Sequence, residues 1–368
     1  MAIRVFLVDD STVSRLVLRR TLEKSQEFVI VGEAKNGKAA IEQIPEEEVD
    51  IVLMDLMMPV MDGFDATSWL MENSPVPILL VSDLVGRDAA LNFRAVEAGA
   101  LDVIRKPSAD ELNDPAVVSN LYRMIRILSN VPVVTRRRKR RSSRQDPASQ
   151  GVGLDVQTEP RVDTAGPEDD TNAPSEVSLV VIGASTGGPA AVSKLLRELT
   201  NPPPWPIVIV QHITRHFAAG MARWLDNVSD LSVQLVEERT RLQDGMVYIA
   251  TDSADLVVNG RYLDLVNEDE QDRSYPSIDV TINSVVRSSI KDQVLAILLT
   301  GMGSDGTTAL KELRHQGGWT IAQDRDSSTV WGIPRVAHEI GAACQVLSLD
   351  EISKFLNSLD GTEHFGAP

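Results

Sequence analysis

The sequence contains a single cysteine, Cys344, among its 368 residues. One cysteine cannot form an intramolecular disulfide bond, which fits a reducing compartment. No apolar run approaches the roughly 20 residues that a helix needs to cross a bilayer. The opening residues, MAIRVFLVDD, hold only a short apolar run that ends at two aspartates, unlike a secretory signal peptide. These absences predict a cytoplasmic protein with no membrane insertion.

Positive charge and aromatic residues are also scarce. Aromatic residues make up 4% of the chain, and 53 acidic residues outnumber 36 Lys and Arg, for a formal charge of −17. The net negative charge would repel a polyanion, so general nucleic-acid binding is not expected. No short-period repeat is present, which excludes solenoids and propellers. The 43% hydrophobic and 24% charged content is typical of a soluble globular protein with room for two domains.

Residues 1–125 alternate short β-branched runs with helical patterns. The strand candidates are IRVFLV, FVIVGEA, VDIVLMD, PVPILLVS and LDVIRK, and stretches such as STVSRLVLRRTLEK have helical spacing. This alternation predicts a doubly wound α/β domain, a parallel sheet with helices on both faces.

Residues 126–177 lose this pattern and form the predicted linker. The segment contains TRRRKRRSSRQDPASQG, several prolines and almost no aromatic residues. Such a composition cannot bury enough apolar surface to offset its chain entropy, so we expect a flexible tether. The basic cluster from Arg136 to Arg144 has two interpretations, a patch for nucleic acid or anionic membrane and a solvated linker, and the second is favoured.

From residue 178 to 357 the β/α alternation resumes. The strand candidates are LVVIGA, PIVIVQH, MVYIA, LVVNGRYLDLV, QVLAILLTG and WTIAQD. We predict a second doubly wound, Rossmann-like parallel-sheet domain, followed by a short tail at 358–368.

Acidic side chains follow two strands of the first predicted sheet. Asp9 and Asp10 come after the first strand, and Asp55 ends the third. The carboxyl ends of parallel strands share one edge, so these carboxylates should lie together. Clustered carboxylates need a cation to offset their repulsion, and oxygen ligands suit Mg²⁺. Ser82 and Lys106, at the ends of the fourth and fifth strands, are expected at the same edge.

Residues 1–125 resemble the receiver domain of two-component response regulators. The matching residues are LVDDS, MDLMMPVMDG, Ser82 and RKP. The resemblance implies that Asp55 accepts a phosphoryl group from a histidine kinase, with Mg²⁺ held by Asp9, Asp10 and Asp55 and phosphoryl oxygens met by Ser82 and Lys106. Val103 stands where receivers often carry an aromatic residue. This departure argues against a switch that is gated by an aromatic side chain.

The stretch SLVVIGASTGGPAAV, residues 178–192, places Ser185 among small residues at the end of a predicted strand. It could be a loop that cradles phosphate or a turn that exposes a nucleophile. The stretch lacks both the Walker lysine and the G-x-G-x-x-G spacing. Pro189 removes a backbone donor and favours the first turn of a helix. The nucleophile interpretation is therefore preferred, provided that a base and a carboxylate lie nearby.

Among five histidines, His212 is the one that ends a predicted strand, PIVIVQ. His315 and His338 lie in helical stretches, His364 in the tail and His216 in a segment that leads into a helix. Asp305 follows a third apolar strand, VLAILLTGMGS. Three strands should thus deliver a serine, a histidine and an aspartate to one edge, as a serine hydrolase requires. The order Ser, His, Asp and the motif GASTG differ from those of α/β-hydrolases.

Residues 178–357 resemble the catalytic domain of the CheB family of chemotaxis methylesterases. The motifs are IGASTGGP, VQH, YIA, PSIDV, LLTGMGSDG, GGWTIAQD and WGIPRVA. The resemblance implies a carboxylic ester hydrolase that removes γ-glutamyl methyl esters from chemoreceptors, releases methanol, and in many members deamidates receptor glutamines. Ser185 is then the nucleophile, His212 the base and Asp305 the orienting acid. Thr186 would support the histidine, and Met302 would lie at the oxyanion site.

Two segments depart from the family pattern, ITRHF after the histidine and TDSADL after VYIA. Both are expected to border the cleft, so they bear on the substrate more than on the chemistry. Two other classes of function stay open. One is a phosphorylation-switched binding scaffold with an inactive or re-purposed esterase domain in a pathway other than chemotaxis. The other is a DNA-binding regulator, which the acidic charge and the lack of a helix-turn-helix pattern disfavour.

Overall fold

The computed structural model of the chain describes residues 2–82, 97–133, 177–200, 202–213, 217–266 and 276–359. Most of the predicted linker, including the basic cluster Arg136–Arg144, lies outside the described residues. The same holds for His216 and for most of the predicted tail, including His364. Within these ranges no helix combines the length and the apolar character needed to cross a membrane.

The first domain contains a five-stranded parallel sheet in the order β2-β1-β3-β4-β5. Its strands are β1 (Ile3–Val8), β2 (Phe28–Ala34), β3 (Ile51–Asp55), β4 (Ile78–Ser82) and β5 (Asp102–Arg105). The described helices are α1 (Thr12–Glu23), α2 (Gly37–Gln43), α3 (Gly63–Asn73) and α4 (Pro115–Leu128), with short 3₁₀ turns at Ile44–Glu46 and Glu111–Asn113. The predicted doubly wound sheet is confirmed. Helix α4 runs to Leu128, past the predicted boundary at residue 125.

The strands of this sheet are apolar on both faces because helices cover both of them. Phe6, Val52 and Leu80 belong to a buried cluster on one face. Leu7 and Leu53 belong to another on the opposite face. Side chains of a strand alternate between faces, so continuous apolar runs such as IVLM are what a sheet buried on both sides requires.

The second domain contains a seven-stranded parallel sheet in the order β15-β14-β13-β6-β7-β10-β8. Its strands are β6 (Leu179–Ala184), β7 (Ile207–Gln211), β8 (Ser232–Val236), β10 (Met246–Ala250), β13 (Val294–Leu298), β14 (Trp319–Gln323) and β15 (Gln345–Leu347). The helices are α5 (Gly188–Glu198), α6 (Ala218–Val228), α7 (Ile278–Val286), α8 (Thr307–His315), α9 (Ile333–Glu339) and α10 (Leu349–Ser358), with a 3₁₀ turn at Lys291–Gln293. This is the second doubly wound domain that the sequence predicts.

The stretch LVVNGRYLDLV, predicted as one strand, is instead a hairpin. Its arms are β11 (Asp255–Asn259) and β12 (Tyr262–Val266), which pair antiparallel; β12 also pairs with β9 (Thr240–Arg241) in a separate three-stranded sheet. Asn259 pairs with Tyr262, so Gly260 and Arg261 form the two-residue turn, and Gly260 has a φ of +59°. Glycine at the first of two turn positions favours a tight hairpin turn, and it overrides the apolar run here.

Strands β8 and β15 were not predicted from the sequence. They lie at the two edges of the seven-stranded sheet. Edge strands are covered on fewer sides, and both include partly exposed residues. They therefore lack the continuous apolar run that identifies the central strands.

The strand order places the loops after β6, β7 and β13 next to one another. Strand β6 lies between β7 and β13. The chain leaves β6 toward β7 on one side and returns much later to β13 on the other. This reversal of direction is the topological switch point at which open α/β sheets bind ligands.

Candidate active site and phosphoacceptor site

Ser185 follows β6 directly and is held through its backbone. Its amide donates to the carbonyl of Thr300 at 3.1 Å, and its own carbonyl accepts from the amide of Gly188 at 2.8 Å. A Cβ added at Gly301 would lie 2.6 Å from Cβ of Ser185. Only glycine fits at that position, because any side chain would displace the serine.

Helix α5 begins two residues beyond Thr186, and its N-terminus faces the serine loop. Gly187 has a φ of +77°, and a Cβ there would lie 2.5 Å from Thr329. Pro189 occupies the first turn of the helix, where its missing N–H costs nothing. The small residues around Ser185 thus permit a tight turn from strand to helix, with the positive end of the helix dipole toward the serine.

His212 follows β7 and contacts Asp305, 93 residues further along the chain. Nε2 of His212 lies 2.6 Å from Oδ2 of Asp305. The amides of Ile278 and Asp279 donate to the same carboxylate at 2.7 and 3.0 Å, and the hydroxyl of Ser277 donates at 3.2 Å. Asp305 is therefore fixed by four donors from two segments of the chain.

The electrostatics of Asp305 determine which ring nitrogen of His212 carries the hydrogen. Burial raises the pKa of Asp305, but the hydrogen bond and charge of His212 and the two amides outweigh this effect and lower it to about 2. An ionised carboxylate can only accept, so Nε2 of His212 carries the hydrogen. Nδ1 is then the basic atom of the neutral imidazole.

Ser185 and His212 are neighbours through the sheet. The amide of His212 donates to the carbonyl of Ala184 at 2.9 Å. Within the described ranges, no hydrogen bond joins Oγ of Ser185 to the imidazole. Catalytic hydrogen bonds of this kind are often long without substrate and tighten when it binds.

The two supporting residues predicted from the sequence face the first domain. The side chain of Thr186 makes a hydrogen bond with the carboxylate of Asp102 on β5, and no hydrogen bond joins it to His212 in the described part of the chain. Met302 is partly buried and packs against the apolar cluster that contains Leu7 and Leu53. Both residues therefore lie where the two domains meet.

Gln211 was not singled out from the sequence. Its Nε2 donates to the carbonyls of Ser185 and His212, each at 2.8 Å. This buried side chain ties together the backbones of Ser185 and His212. The sequence signal was limited to its position in VQH, since a glutamine that acts on backbone atoms leaves no spacing pattern.

In the first domain, the predicted acidic residues converge at the edge of the sheet. Carboxylate oxygens of Asp9, Asp10 and Asp55 all lie within 4.8 Å of one another. Nζ of Lys106 lies 2.5 Å from Oδ2 of Asp9 and 2.8 Å from Oδ2 of Asp55. Three hard oxygen donors at this spacing fit the ligand preference of Mg²⁺. Ser82 ends the neighbouring strand, and its carbonyl accepts from the amide of Lys106 at 3.0 Å.

Burial and charge compete at this cluster. Burial lowers the pKa of Lys106, but its hydrogen bonds to Asp55 and Asp9 more than offset this and leave that pKa raised. Burial raises the pKa of Asp55, and the attraction of Lys106 only partly opposes it. A buried ammonium thus stands beside the carboxylate, ready to offset further negative charge.

Residues of the first domain cover the rim of the serine loop. Oε1 of Glu97 accepts from Nε1 of Trp224 at 3.0 Å. Val330 of the second domain is buried in a cluster of the first, and Val103 of the first packs against the core of the second. A cleft of about 900 Å³ remains between the domains, and its lining includes Gly187 and Met302.

Comparison with known proteins finds similarity along both domains. A family model described as CheB methylesterase matches residues 180–356, and one described as response regulator receiver domain matches residues 5–115. A protein-glutamate methylesterase/protein-glutamine glutaminase of Methanospirillum hungatei is 38% identical over 363 residues, covering 97% of this chain and 98% of the relative. One from Hahella chejuensis is 37% identical over 358 residues, with coverage of 96% and 98%. The crystal structure of the Thermotoga maritima CheB methylesterase catalytic domain is 34% identical, with a TM-score of 0.48, and covers 50% of this chain and 100% of that one.

Proposed function

This chain belongs to the family of CheB methylesterases that carry a response-regulator receiver domain, and we propose that it is a phosphorylation-activated protein-glutamate methylesterase. Its substrate is a methyl-accepting chemoreceptor or a related receptor with γ-glutamyl methyl esters. The observation that carries the proposal is the 2.6 Å contact between Nε2 of His212 and Oδ2 of Asp305, on the sheet edge that also holds Ser185. A cytoplasmic location is part of the proposal.

The reaction is acyl transfer in two steps. Oγ of Ser185 attacks the ester carbonyl while Nδ1 of His212 accepts the hydroxyl proton. Asp305 stabilises the imidazolium that forms. Collapse of the tetrahedral intermediate breaks the bond to the methoxy oxygen, which takes the proton from His212 and leaves as methanol. Water then attacks the acyl-enzyme by the same route, and a glutamate carboxylate and free Ser185 are released.

The negative charge that develops on the ester oxygen needs donors that are already in place. The N-terminus of α5 follows Ser185 and presents amides and a positive dipole end. Met302, on the loop after β13, is assigned to the same oxyanion site. The same chemistry applied to a glutamine side chain releases ammonia, so deamidation is proposed as a second activity, in line with the names of the relatives.

Regulation follows from the position of the receiver domain. In the unphosphorylated state it covers the rim of the serine loop, through Asp102 against Thr186 and Glu97 against Trp224. A histidine kinase donates a phosphoryl group to Asp55. Asp9, Asp10 and Asp55 would hold Mg²⁺, whose positive charge offsets that of the phosphoryl oxygens. Ser82 and Lys106 are assigned to the phosphoryl oxygens.

Strand β5 connects the two sites mechanically. Lys106 follows its last residue and contacts Asp55, and Asp102 begins it and contacts Thr186. Phosphorylation replaces the carboxylate partner of Lys106 with a phosphoryl group. We infer that the resulting shift of β5 weakens the contacts with the second domain and opens the cleft.

Methanol release from methylated receptor membranes tests the esterase assignment. Ser185→Ala should lower kcat by as much as about 10⁶-fold. Ser193→Ala, which removes another buried hydroxyl of the same βα unit, should keep the wild-type rate. A fluorophosphonate probe that labels the wild type and not Ser185→Ala distinguishes an active nucleophile from an inert scaffold, whatever receptor is chosen. Release by Ser185→Ala at the wild-type rate would refute the assignment.

The regulatory part has a separate test. A small-molecule phosphodonor should raise methanol release by the wild type and not by Asp55→Asn, since only the wild type can form the acyl phosphate. Equal rates with and without the donor in the wild type, with phosphorylation verified by mass, would rule out activation through Asp55.

A further inference from the structure

Helices α7 and α8 exchange carboxylates at their N-termini. Asp305 lies just before α8, and its carboxylate accepts from the amides of Ile278 and Asp279 in the first turn of α7. Asp279 in turn uses Oδ1 to accept from the amide of Ala309 in the first turn of α8, at 3.1 Å. Each helix is thus capped by an acidic residue from the start of the other, and both caps satisfy amides that a helix leaves free.

The reciprocal cap fixes the backbone on the far side of Asp305. The carboxylate of Asp279 also accepts from the amide of Gly306, so it binds both ends of the turn that begins α8. Gly306 has a φ of +85°, and a Cβ there would lie 2.4 Å from Cγ2 of Ile278. The turn directly after Asp305 is therefore packed tightly on α7.

The environments of the two carboxylates differ. Burial raises the pKa of Asp279, and the neighbouring Asp305 raises it further. Asp305 lies beside His212, and its pKa is lowered to about 2. Beyond this pair, Oδ1 of the buried Asp255 accepts from the amide of Ser277 at 2.7 Å. Asp305 therefore keeps the charge that His212 needs, while Asp279 supplies the cap.

We propose that Asp279 is a positioning residue of the catalytic triad: by capping α8 it holds Asp305 where that carboxylate contacts Nε2 of His212. The inference rests on the proposed function, since it assigns Asp279 to the triad of that reaction. Asp279 itself contacts neither His212 nor Ser185 in the described hydrogen bonds, so its effect is transmitted through Asp305.

The test compares substitutions of Asp279 in the full chain. Asp279→Ala removes the cap, and we expect kcat for methyl-ester hydrolysis to fall about 10- to 100-fold with KM nearly unchanged, the usual cost of a catalytic group displaced by about an ångström. Asp279→Asn keeps an acceptor oxygen and should retain most of kcat. Asp279→Glu moves the carboxylate by one methylene and should give an intermediate loss of kcat. This variant decides the test if Asp279→Ala does not fold.

A spectroscopic readout separates positioning from general stability. The proton shared by His212 and Asp305 at 2.6 Å should give a strongly deshielded NMR signal, identified by its absence in His212→Gln. The signal should disappear in Asp279→Ala and persist in Asp279→Asn. Ser348→Ala is the matched control. It removes the N-cap of α10, elsewhere in the same domain, and should lower Tm without changing the signal or kcat.

The outcomes are distinct. An unchanged proton signal and kcat in Asp279→Ala would overturn the proposal, as would a loss of kcat that only tracks the unfolded fraction of the protein. If the wild type hydrolyses no methyl ester, the proposed function is wrong, whatever the role of Asp279. The proton signal still reports whether Asp279 holds Asp305 against His212.

Discussion

The carboxylate of Asp102, on the last strand of the receiver sheet, is hydrogen-bonded to the side chain of Thr186, the residue directly after Ser185. The two residues belong to different domains. Their contact joins the receiver domain to the loop that carries the proposed nucleophile.

Docking of the receiver should weaken as pH rises through about 6. Burial raises the pKa of Asp102 from 3.8 to about 6, against the opposing effects of the Val103 amide and Thr186. Because the pKa of Asp102 is raised in the docked state, docking favours the protonated form of this carboxyl. The contribution of protonated Asp102 to docking is fully present below the ordinary pKa of 3.8 and is lost as pH rises through about 6.

This pH dependence can be isolated with Asp102→Asn, which is neutral at every pH. The ratio of the unphosphorylated wild-type rate to that of Asp102→Asn should be close to one below pH 3.8, rise by up to about tenfold per unit between that value and about pH 6, and level off at higher pH. Taking the ratio cancels the titration of the triad. A ratio that stays flat across this range would contradict the prediction.

The hydrogen bond between Trp224 and Glu97 should restrain the unphosphorylated enzyme. Trp224→Phe removes the donor but keeps the apolar ring, and Glu97→Ala removes the acceptor. A contribution of about 1 kcal/mol to docking predicts a rise of about fivefold in the unphosphorylated rate for each variant. The double variant should add nothing to either single change. If the increases in rate of the two single variants multiply in the double variant, the two residues act independently and the prediction is wrong.

Gly301 should be essential for activity beyond its effect on stability. Gly301→Ala places a methyl group 2.6 Å from Cβ of Ser185, so the serine must move and kcat should fall about 100-fold. Gly260→Ala is the control, because φ there is +59° and no atom lies within 4 Å of the added Cβ. It should lower the free energy of unfolding by about 1 kcal/mol and leave kcat intact. Equal kcat in the two variants would contradict the proposed placement of Ser185.

Val60 should be a site at which the receiver can be stabilised. This valine is 80% exposed and has a φ of +74°, a conformation that β-branched residues avoid. Val60→Asn should raise the free energy of unfolding by about 1 kcal/mol. Val29→Asn, at an exposed position on β2, should be neutral or destabilising because asparagine is unfavourable in strands. Urea denaturation followed by circular dichroism measures both, and the same sign of change in both variants would contradict the strain at Val60.

Much of the fold could be predicted because the central strands are long apolar runs. Strands such as β3, β4 and β13 are buried on both faces, and this burial requires the continuous runs that identified them. The edge strands β8 and β15 have no such requirement and were missed. The hairpin of β11 and β12 is not apparent from hydrophobicity, because apolar residues continue on both sides of its turn.

The candidate site was predictable where residue type and strand end coincide. Ser185, His212 and Asp305 follow apolar strands of the second sheet, and Asp55 ends an apolar strand of the first. The shared edge of each parallel sheet was therefore enough to group the residues of each site. Gln211 and Asp279 act on backbone amides and carbonyls. Their roles depend on which loop is opposite, and no spacing in the sequence encodes that.

By itself, the sequence determined the two doubly wound sheets and the acidic and serine-bearing edges, because hydrophobic periodicity and strand ends are local properties of the chain. Only the tertiary structure decided that Thr186 and Met302 face the receiver, that Asp102 lies against the serine loop, and that Asp279 caps the helix after Asp305. These relationships join residues far apart in the chain. They arise from how two separately formed sheets and their helices pack, which no local pattern of residues specifies.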